Sequence, residues 1–441
     1  MRRTSPHRAT ITVSGLFLLG LALGSWAGRA AVARATDPYA GLDRFARMLT
    51  AIESDYVEPL EAEVLLDAAV GGMVDELDPH SRWMSIRAVR DLEADAAGRS
   101  TGFGLEVGRE PAGVVILKVV PGSPAAREGL QRGDRILAID GEPLQGASID
   151  QVKKLFSGPS GKRSELEILR EGWSAPQRIE TAREQVHLPA TESVLLDGNI
   201  LYSRLIDFQV DAANELRADI ERLGDLAEPG LEGVVLDLRD NTGGLLTEAV
   251  QVTDLFLDEG VIVSVRSRRA GVTTYSAKTG GLGPDIPVVV LINGMSASAS
   301  EIVAGAIQDT QRGLLIGTPS YGKGSVQQLY RNSDGSALKL TVARYHRPSG
   351  EPIQAREGLE PDIVVRSSAE VGPRARLREH LAALEVEEAE RAVINALVED
   401  LEERDPVPIH IAWSRPIEER APTDPVIQAG IEAIRNWAPT Q

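Results

Sequence analysis

Two short segments carry the residue types from which a hydrolase is built. Ser296-Ala297-Ser298-Ala299-Ser300-Glu301 offers a hydroxyl nucleophile, and Gly322-Lys323-Gly324-Ser325 offers an amine that can deprotonate it. No histidine lies in or between them, and the chain has no cysteine. Ser–Lys chemistry is therefore the natural reading, and Ser–His–Asp or Cys–His arrangements have little support. A free lysine titrates near ~10.4, so a general-base lysine must be brought to about 7 to 8 by burial. Gln327 stands four residues beyond Lys323. On an alternating strand Lys323, Ser325 and Gln327 share one face, which lets the amide hold the amine.

These groups need elements to position them. Val288 to Ile292 reads as a buried strand and Ser300 to Gln308 as the helix after it, so Ser298 falls at a helix N-terminus. Free N–H groups and a partial positive charge collect there, as a developing oxyanion requires. Ser298 and Glu301 also fit a Ser-x-x-Glu capping box, which needs no catalysis; the two roles are compatible. Gly317 to Lys323 imitates a phosphate loop, but Gly324 stands where a Ser or Thr should hold magnesium, and Ser325 to Tyr330 alternates like a strand. A third segment, Leu238-Arg239-Asp240-Asn241-Thr242-Gly243-Gly244, follows the buried strand Val234 to Leu238. Its glycines permit close backbone approach, either as a plain turn or as a second oxyanion donor.

The 441 residues imply two to four domains, and 42% hydrophobic with 25% charged residues is a globular composition. The net charge of −18 argues against a nucleic-acid partner. The absence of cysteine excludes disulfides, thiol catalysis and Cys-ligated zinc. Arg2, Arg3 and Arg8 precede an apolar run, Ile11 to Trp26, followed by Ala31-Val32-Ala33-Arg34-Ala35. This reads as a signal peptide, or as an uncleaved anchor of about 20 residues; either way the rest of the chain is expected to be exported.

Beyond this segment, Leu42, Phe45, Leu49, Ile52 and Tyr56 recur at helical steps, and a second helix is expected from Glu61 to about Leu77, ended by Asp78-Pro79. His80 reads as a turn residue. From about Ser100 to Thr181 short strands and turns follow one another, with Asp140-Gly141 as a hairpin signal and a helix at Ile149 to Phe156. From about Val186 to Val365 apolar runs alternate with helical patterns, as in an α/β core. Arg374 to about Glu403 carries an apolar helical stripe suited to oligomerisation or to packing on the core.

Taken together, the segments resemble the carboxyl-terminal processing peptidases, or tail-specific proteases, which pair a PDZ domain with a Ser–Lys core. The resemblance covers about residues 40 to 370 and keeps the family's order. Leu77 to Ser81 is similar to a segment ahead of the PDZ domain. Gly102-Phe103-Gly104-Leu105 is similar to the PDZ loop that holds a peptide carboxylate. Gly122 to Ala126, Gly133 to Leu137, Leu236 to Leu246, Asn293 to Asp309, Gly322 to Gln327, Pro348 to Gly350 and Gly358 to Ile363 continue the series.

The resemblance implies a multidomain α/β protein: a signal peptide or anchor (1–35), an N-terminal helical segment (36–95), a PDZ domain (96–182), a peptidase core (183–370) and a C-terminal helical extension (371–441). It implies Ser298 as nucleophile, Lys323 as general base and Gln327 as its orienting partner. Ala299 and Gly244 would give oxyanion N–H groups, with Glu301 in support. No metal or cofactor is implied. The expected substrates are proteins with apolar C-terminal tails, captured at Gly102, Phe103, Gly104 and Leu105, with Phe103, Leu105 and Val152 setting the apolar preference. The expected place is the periplasm or cell envelope, free or anchored to the inner membrane. The terminal helices are candidates for homo-oligomerisation or adaptor binding, and the alternative function is a latent or inactive tail-binding module that needs an adaptor. Three residues depart from the family's pattern: Met295 replaces a usual glycine, and Asp240 and Thr242 replace common Asn and Pro. Met295 bears on the space beside the nucleophile, and so on substrate preference.

Overall fold

A computed structural model of the chain describes residues 41–110, 113–353, 358–366 and 416–437. The leader-like segment and the stripe at 374–403 lie outside the described residues. Two compact units divide at Trp83. The first holds α1 (Leu42–Asp55) and α2 (Ala62–Asp75), after which Asp78 closes a turn. Its carboxylate accepts the N–H groups of His80 and Ser81 and the Ser81 hydroxyl, so His80 is a turn residue as expected. Phe45, Met48 and Ile52 of α1 are exposed. The three-residue strand β1 (Arg82–Met84) follows.

In the second unit, α3 (Ile86–Ala96) starts at Ser85, whose side chain caps it. The strand β2 (Arg99–Gly102) leads into a β-rich module. There β3 (Leu105–Glu110), β4 (Gly113–Val119), β5 (Arg135–Ile139), β7 (Arg163–Leu169) and β8 (Gln177–Ala182) form an antiparallel sheet in the order 3-4-5-7-8, with β6 (Glu142–Pro143) beside β5. Two helices, α4 (Pro124–Arg127) and α5 (Ile149–Phe156), close its core of Phe103, Ile116, Ile136, Val152 and Leu166. A capping box starts α5: the Ser148 hydroxyl takes the Gln151 N–H, and the Gln151 side chain takes the Ser148 N–H. The chain leaves through β9 (Glu184–His187), which pairs antiparallel with β2, Arg99 opposite His187 and Gly102 opposite Glu184. Both connections of this module to the rest of the unit thus run in one two-stranded ribbon.

The core is a six-stranded sheet in the order 10-11-12-15-16-19: β10 (Thr191–Leu196), β11 (Ile200–Leu205), β12 (Gly233–Asp237), β15 (Val288–Ile292), β16 (Leu314–Gly317) and β19 (Ile363–Val364). Only β10 runs antiparallel. Helices α6 (Ala212–Gly224), α7 (Leu246–Asp254) and α8 (Ala299–Asp309) bury one face of it. The strands β12 and β15 are buried at every residue, which is why they read as continuous apolar runs. Beside the sheet, β13 (Val261–Ser267), β14 (Gly271–Ser276), β17 (Ser325–Arg331) and β18 (Ala337–His346) pair in the order 17-18-13-14.

The other face of the core sheet is covered from far along the chain. Short α9 (Ile417–Arg420) and α10 (Pro425–Arg435) lay Val426, Ile427, Ile431 and Ile434 against Tyr202, Val235, Val289 and Leu291. A boundary at 370 places these helices in an extension; in the structure they form one layer of the core. A Cβ at Gly233 would lie 2.5 Å from Ile434, so β12 needs glycine where the helix crosses it. A buried charge network pins the two together. Asp237 accepts the Tyr202 hydroxyl at 2.7 Å and the Arg239 guanidinium at 2.6 Å, and Arg239 reaches on to Asp424 at 3.0 Å. Asp424 also caps α10 through the Val426 N–H.

Burial alone would push the Asp237 carboxyl up, but the Arg239 charge and the hydrogen bonds from Arg239 and Tyr202 hold it below its ordinary 3.8. Its folded pKa is depressed, so its contribution to stability is complete above about 3.8 and lost as pH falls through the folded value. Asp237→Asn should therefore lower the unfolding free energy by about 3–5 kcal/mol at pH 7, and the loss should shrink in acid. Urea unfolding of both proteins between pH 3 and 7 measures this. Ile427→Ala, which opens a cavity under α10, should cost about 2–5 kcal/mol at every pH.

Candidate active site

The loops after β12, β15 and β16 meet at the carboxyl ends of their parallel strands, where open α/β sheets place their sites. After β15, Asn293 folds the chain back: its N–H donates to Ser296 Oγ, and Ser296 Oγ donates to the Leu238 carbonyl at 2.8 Å. Ser298 then takes φ +58° and ψ −110°, a conformation L-residues avoid at a cost of about 1–3 kcal/mol. Only 8% of it is exposed, and α8 begins at the next residue. Strain of this kind, held by surrounding contacts, marks a side chain that must point one way.

Glu301 supplies the strongest of those contacts. Its side chain is fully buried in the first turn of α8, where the helix dipole favours a carboxylate. One oxygen accepts the Ser298 N–H at 2.8 Å and the Lys323 N–H at 2.7 Å. The other accepts the Gly322 N–H at 2.6 Å and the Ser320 hydroxyl at 2.5 Å. The Glu301 half of the expected capping box is thus made, and the same carboxylate gathers the lysine loop. Tyr321 N–H donates to the Ser296 carbonyl, a second stitch between the two segments. Ser298 and Lys323 are therefore brought together through their backbones, although nothing between them in sequence suggests it.

The glycines around Lys323 have separate reasons. Gly322 has φ +85°, and a Cβ at Gly324 would lie 2.0 Å from the Ile353 carbonyl oxygen. Lys323 is half-buried and is followed by strand β17, so the phosphate-loop pattern lacks the helix it needs. Ser325 and Gln327 share a face of β17 as expected, because Gln327 Nε2 donates to Ser325 Oγ at 2.8 Å. It also donates to Thr341 Oγ1 of β18 at 3.3 Å.

The turn after β12 packs directly on the nucleophile. Asp240, at φ +61°, exchanges two hydrogen bonds with the Asn293 side chain. Asn241 donates from its side chain to the Leu205 carbonyl, and its own carbonyl accepts the Ala297 N–H and the Ser300 hydroxyl. A Cβ at Gly243 would lie 2.8 Å from Ser298 Cβ and 3.0 Å from Ala299 N, which excludes any other residue there. Phe208 bridges the turn through the Gly243 carbonyl and the Leu245 N–H, which turns the Gly244 N–H away from the bridge. Among the described residues neither this N–H nor that of Ala299 has an acceptor. Met295 is exposed at the head of the loop.

Two contributors escaped the sequence reading. Ser320 accepts the Leu359 N–H at 2.7 Å while donating to Glu301, and its backbone N–H donates to the Leu359 carbonyl. Gly358, at φ +61°, is needed because a Cβ would lie 2.1 Å from the Ser320 carbonyl oxygen. The Gly358-Leu359 pair thus backs the lysine loop, a long-range role without a local signature.

In the β-rich module, the loop Gly102 to Leu105 turns its carbonyls inward. Phe103 O accepts from Ala125 N–H and Gly104 O from Val120 N–H. The N–H groups of Phe103 and Gly104 have no acceptor among the described residues. Gly104 has φ +78° and abuts Ser123, so no side chain fits. The expectation that Phe103 and Val152 set an apolar preference needs correction, since both are core residues, Phe103 only 1% exposed; Leu105, Leu155 and Phe156 are partly exposed.

A profile of peptidase family S41 matches residues 199–365, and a PDZ domain profile matches residues 115–170. The carboxy-terminal-processing protease of Bartonella bacilliformis is 39% identical over 329 residues, covering 74% of this chain and 75% of its own. The carboxyl-terminal-processing protease of Synechocystis is 35% identical over 322 residues, covering 71% and 74%. Among solved structures, the photosystem II D1 C-terminal processing protease is similar at 30% identity with a TM-score of 0.45, over 73% of this chain and 86% of that one. The chain belongs to peptidase family S41, as a serine peptidase of the carboxyl-terminal processing type that carries a PDZ domain.

Proposed function

We propose that this peptidase is an exported endopeptidase that captures substrate tails at Gly102 to Leu105 and cleaves with a Ser298–Lys323 dyad. The observation that carries this reading is the Glu301 carboxylate, which holds the amides of both residues beside a strained serine. Lys323 takes the Ser298 proton, Ser298 Oγ attacks the scissile carbonyl, and the N–H groups of Ala299 and Gly244 receive the oxyanion. The lysine returns the proton to the leaving amine. It then activates water, which releases the acyl group. Gln327, tethered to Ser325 and Thr341, fixes the side of β17 along which the lysine approaches.

A substrate tail adds as a strand beside Leu105-Glu106-Val107, with its carboxylate on the Phe103 and Gly104 N–H groups. Leu105 and Leu155 favour apolar tails. Export rests on the basic and apolar pattern of residues 2–35; among the described residues no helix is long and apolar enough to cross a membrane. Substrates, an adaptor and a second copy of the chain are the expected partners.

The full chain, Ser298→Ala and Lys323→Ala incubated with an unfolded protein ending in apolar residues test the dyad. Cleavage by wild type alone is expected, with each variant losing at least about 10³-fold in kcat. Cleavage that survives Ser298→Ala would overturn the assignment, and tail binding without cleavage by any form would point to a latent binding module. Glu301→Gln replaces one acceptor oxygen with a donor and cannot serve all four partners. It should lower kcat by about 10²-fold with KM within a few-fold, whereas Ser320→Ala, losing one bond of the four, should cost less. Steady-state kinetics on one substrate separate these outcomes. Fractionation of cells carrying a reporter fused after residue 35 tests export.

A further inference from the structure

A general-base lysine needs a neutral amine near pH 7, whereas a free one titrates near ~10.4. Burial alone does not bring that change about here. Lys323 is only half-buried, and its N–H lies on the Glu301 carboxylate, a negative charge that favours the ammonium. A cation close by acts the other way. The strand ladder places one there. Tyr345 N–H donates to the Gly324 carbonyl at 2.8 Å, so the pairing of β17 with β18 runs up to the lysine loop. The next pair is Ser325 with Arg344, and Arg344 is in turn opposite Arg266 of β13. Directly opposed residues of antiparallel strands project from the same side of the sheet. Ser325, Arg344 and Arg266 therefore stand in one row, on the face that carries Gln327, whose amide is bonded to Ser325. Strand spacing puts the Lys323 and Arg344 Cα atoms about 8–9 Å apart.

Two arginines opposite one another repel, a destabilising arrangement in a sheet. Both are exposed, and among the described residues neither makes a side-chain hydrogen bond or an ion pair. Arg347, three residues beyond Arg344, is by contrast closed onto Asp309. The other charged or titratable groups around the lysine loop come from separate elements. Glu301 belongs to α8 and is filled by its four donors. Asp240 of the β12 turn is bonded to Asn293. His346 of β18 has Nδ1 3.1 Å from the Gly350 carbonyl oxygen. The uncompensated arginine pair thus makes a positive field on the side of β17 along which the lysine approaches.

We propose that Arg344, reinforced by Arg266, holds Lys323 in its neutral, proton-accepting form near neutral pH. This rests on the reading of Lys323 as the general base. Arg344 acts through the lysine, so it is a positioning residue and not a catalytic one. Removing its charge favours the ammonium and raises the lysine pKa. The acid limb of kcat/KM then moves to higher pH. Because the arginines are exposed, salt screens their effect.

The test is the pH profile of kcat/KM for the full chain, on a substrate without acidic residues near the scissile bond. Arg344→Gln should move the acid limb up by about half a unit or more, with the high-pH plateau within about twofold of the parent. Arg344→Lys, which keeps the charge, should leave the limb in place, and Arg266→Gln should shift it less. Salt at about 1 M should raise the limb of the parent and move that of Arg344→Gln less. A limb unmoved in Arg344→Gln, with activity lost equally at every pH, would overturn the proposal and leave Arg344 a structural or substrate-contacting residue. His346→Gln should not move the limb; a limb abolished by that change would belong to the histidine and overturn the proposal too. Lys323→Ala should be inactive throughout. Activity retained there would overturn the general-base reading itself, and this inference with it. Circular dichroism confirms folding, and the salt response of the parent with the Arg266→Gln profile decides the matter if Arg344→Gln does not fold.

Discussion

One buried carboxylate holds the catalytic half of this molecule in register. Glu301 receives three backbone N–H groups and a hydroxyl, and those donors come from the serine turn and the lysine loop. A buried charge survives only when its hydrogen-bonding capacity is filled, so Glu301 and its donors are mutually obligatory. The strained Ser298 backbone is tolerable because its N–H is fixed to this acceptor and its neighbours are fixed to the β12 turn. The lysine loop is in turn backed by Ser320 and Leu359.

That local order depends on a sheet buried on both faces. Helix α8 presents Glu301 from one side, and α10 seals the other. On the α10 side Arg239, which stands one residue before the glycine-bearing turn, reaches to Asp237 and Asp424. The turn that packs against Ser298 is therefore seated by a residue almost at the end of the chain. Packing and electrostatics act in the same place: apolar contacts set the distance of α10 from the sheet, and the ion pairs set its position along it.

Much of this was legible in the sequence. The strands β12 and β15 and helix α8 fall within a residue or two of their expected bounds, because buried parallel strands are uniformly apolar and the helix follows a Ser-x-x-Glu signal. Ser298, Glu301 and Lys323 do converge. The amide bonds of Gln327 run to Ser325 and Thr341, a pairing set by the β17–β18 ladder. Partnerships across long separations were not legible. Leu359 behind Ser320 and Asp424 on Arg239 leave no periodic trace, since each depends on where the fold returns the chain. Phe103 was misjudged for a related reason: a loop residue next to two glycines reads as accessible, yet its ring is part of the PDZ core.

The two-stranded ribbon of β2 and β9 brings the entry and exit of the PDZ module side by side, Arg99 opposite His187. In topological terms the module is an insertion that begins and ends at one point on the peptidase. No strand of the core sheet passes through it, and the order of the six core strands is the same whatever the ribbon carries. The PDZ module and the peptidase core are thus joined along the chain at one place. A replacement module would need only to continue that ribbon and to accommodate Glu192 of the core, which Lys118 now meets at 3.2 Å.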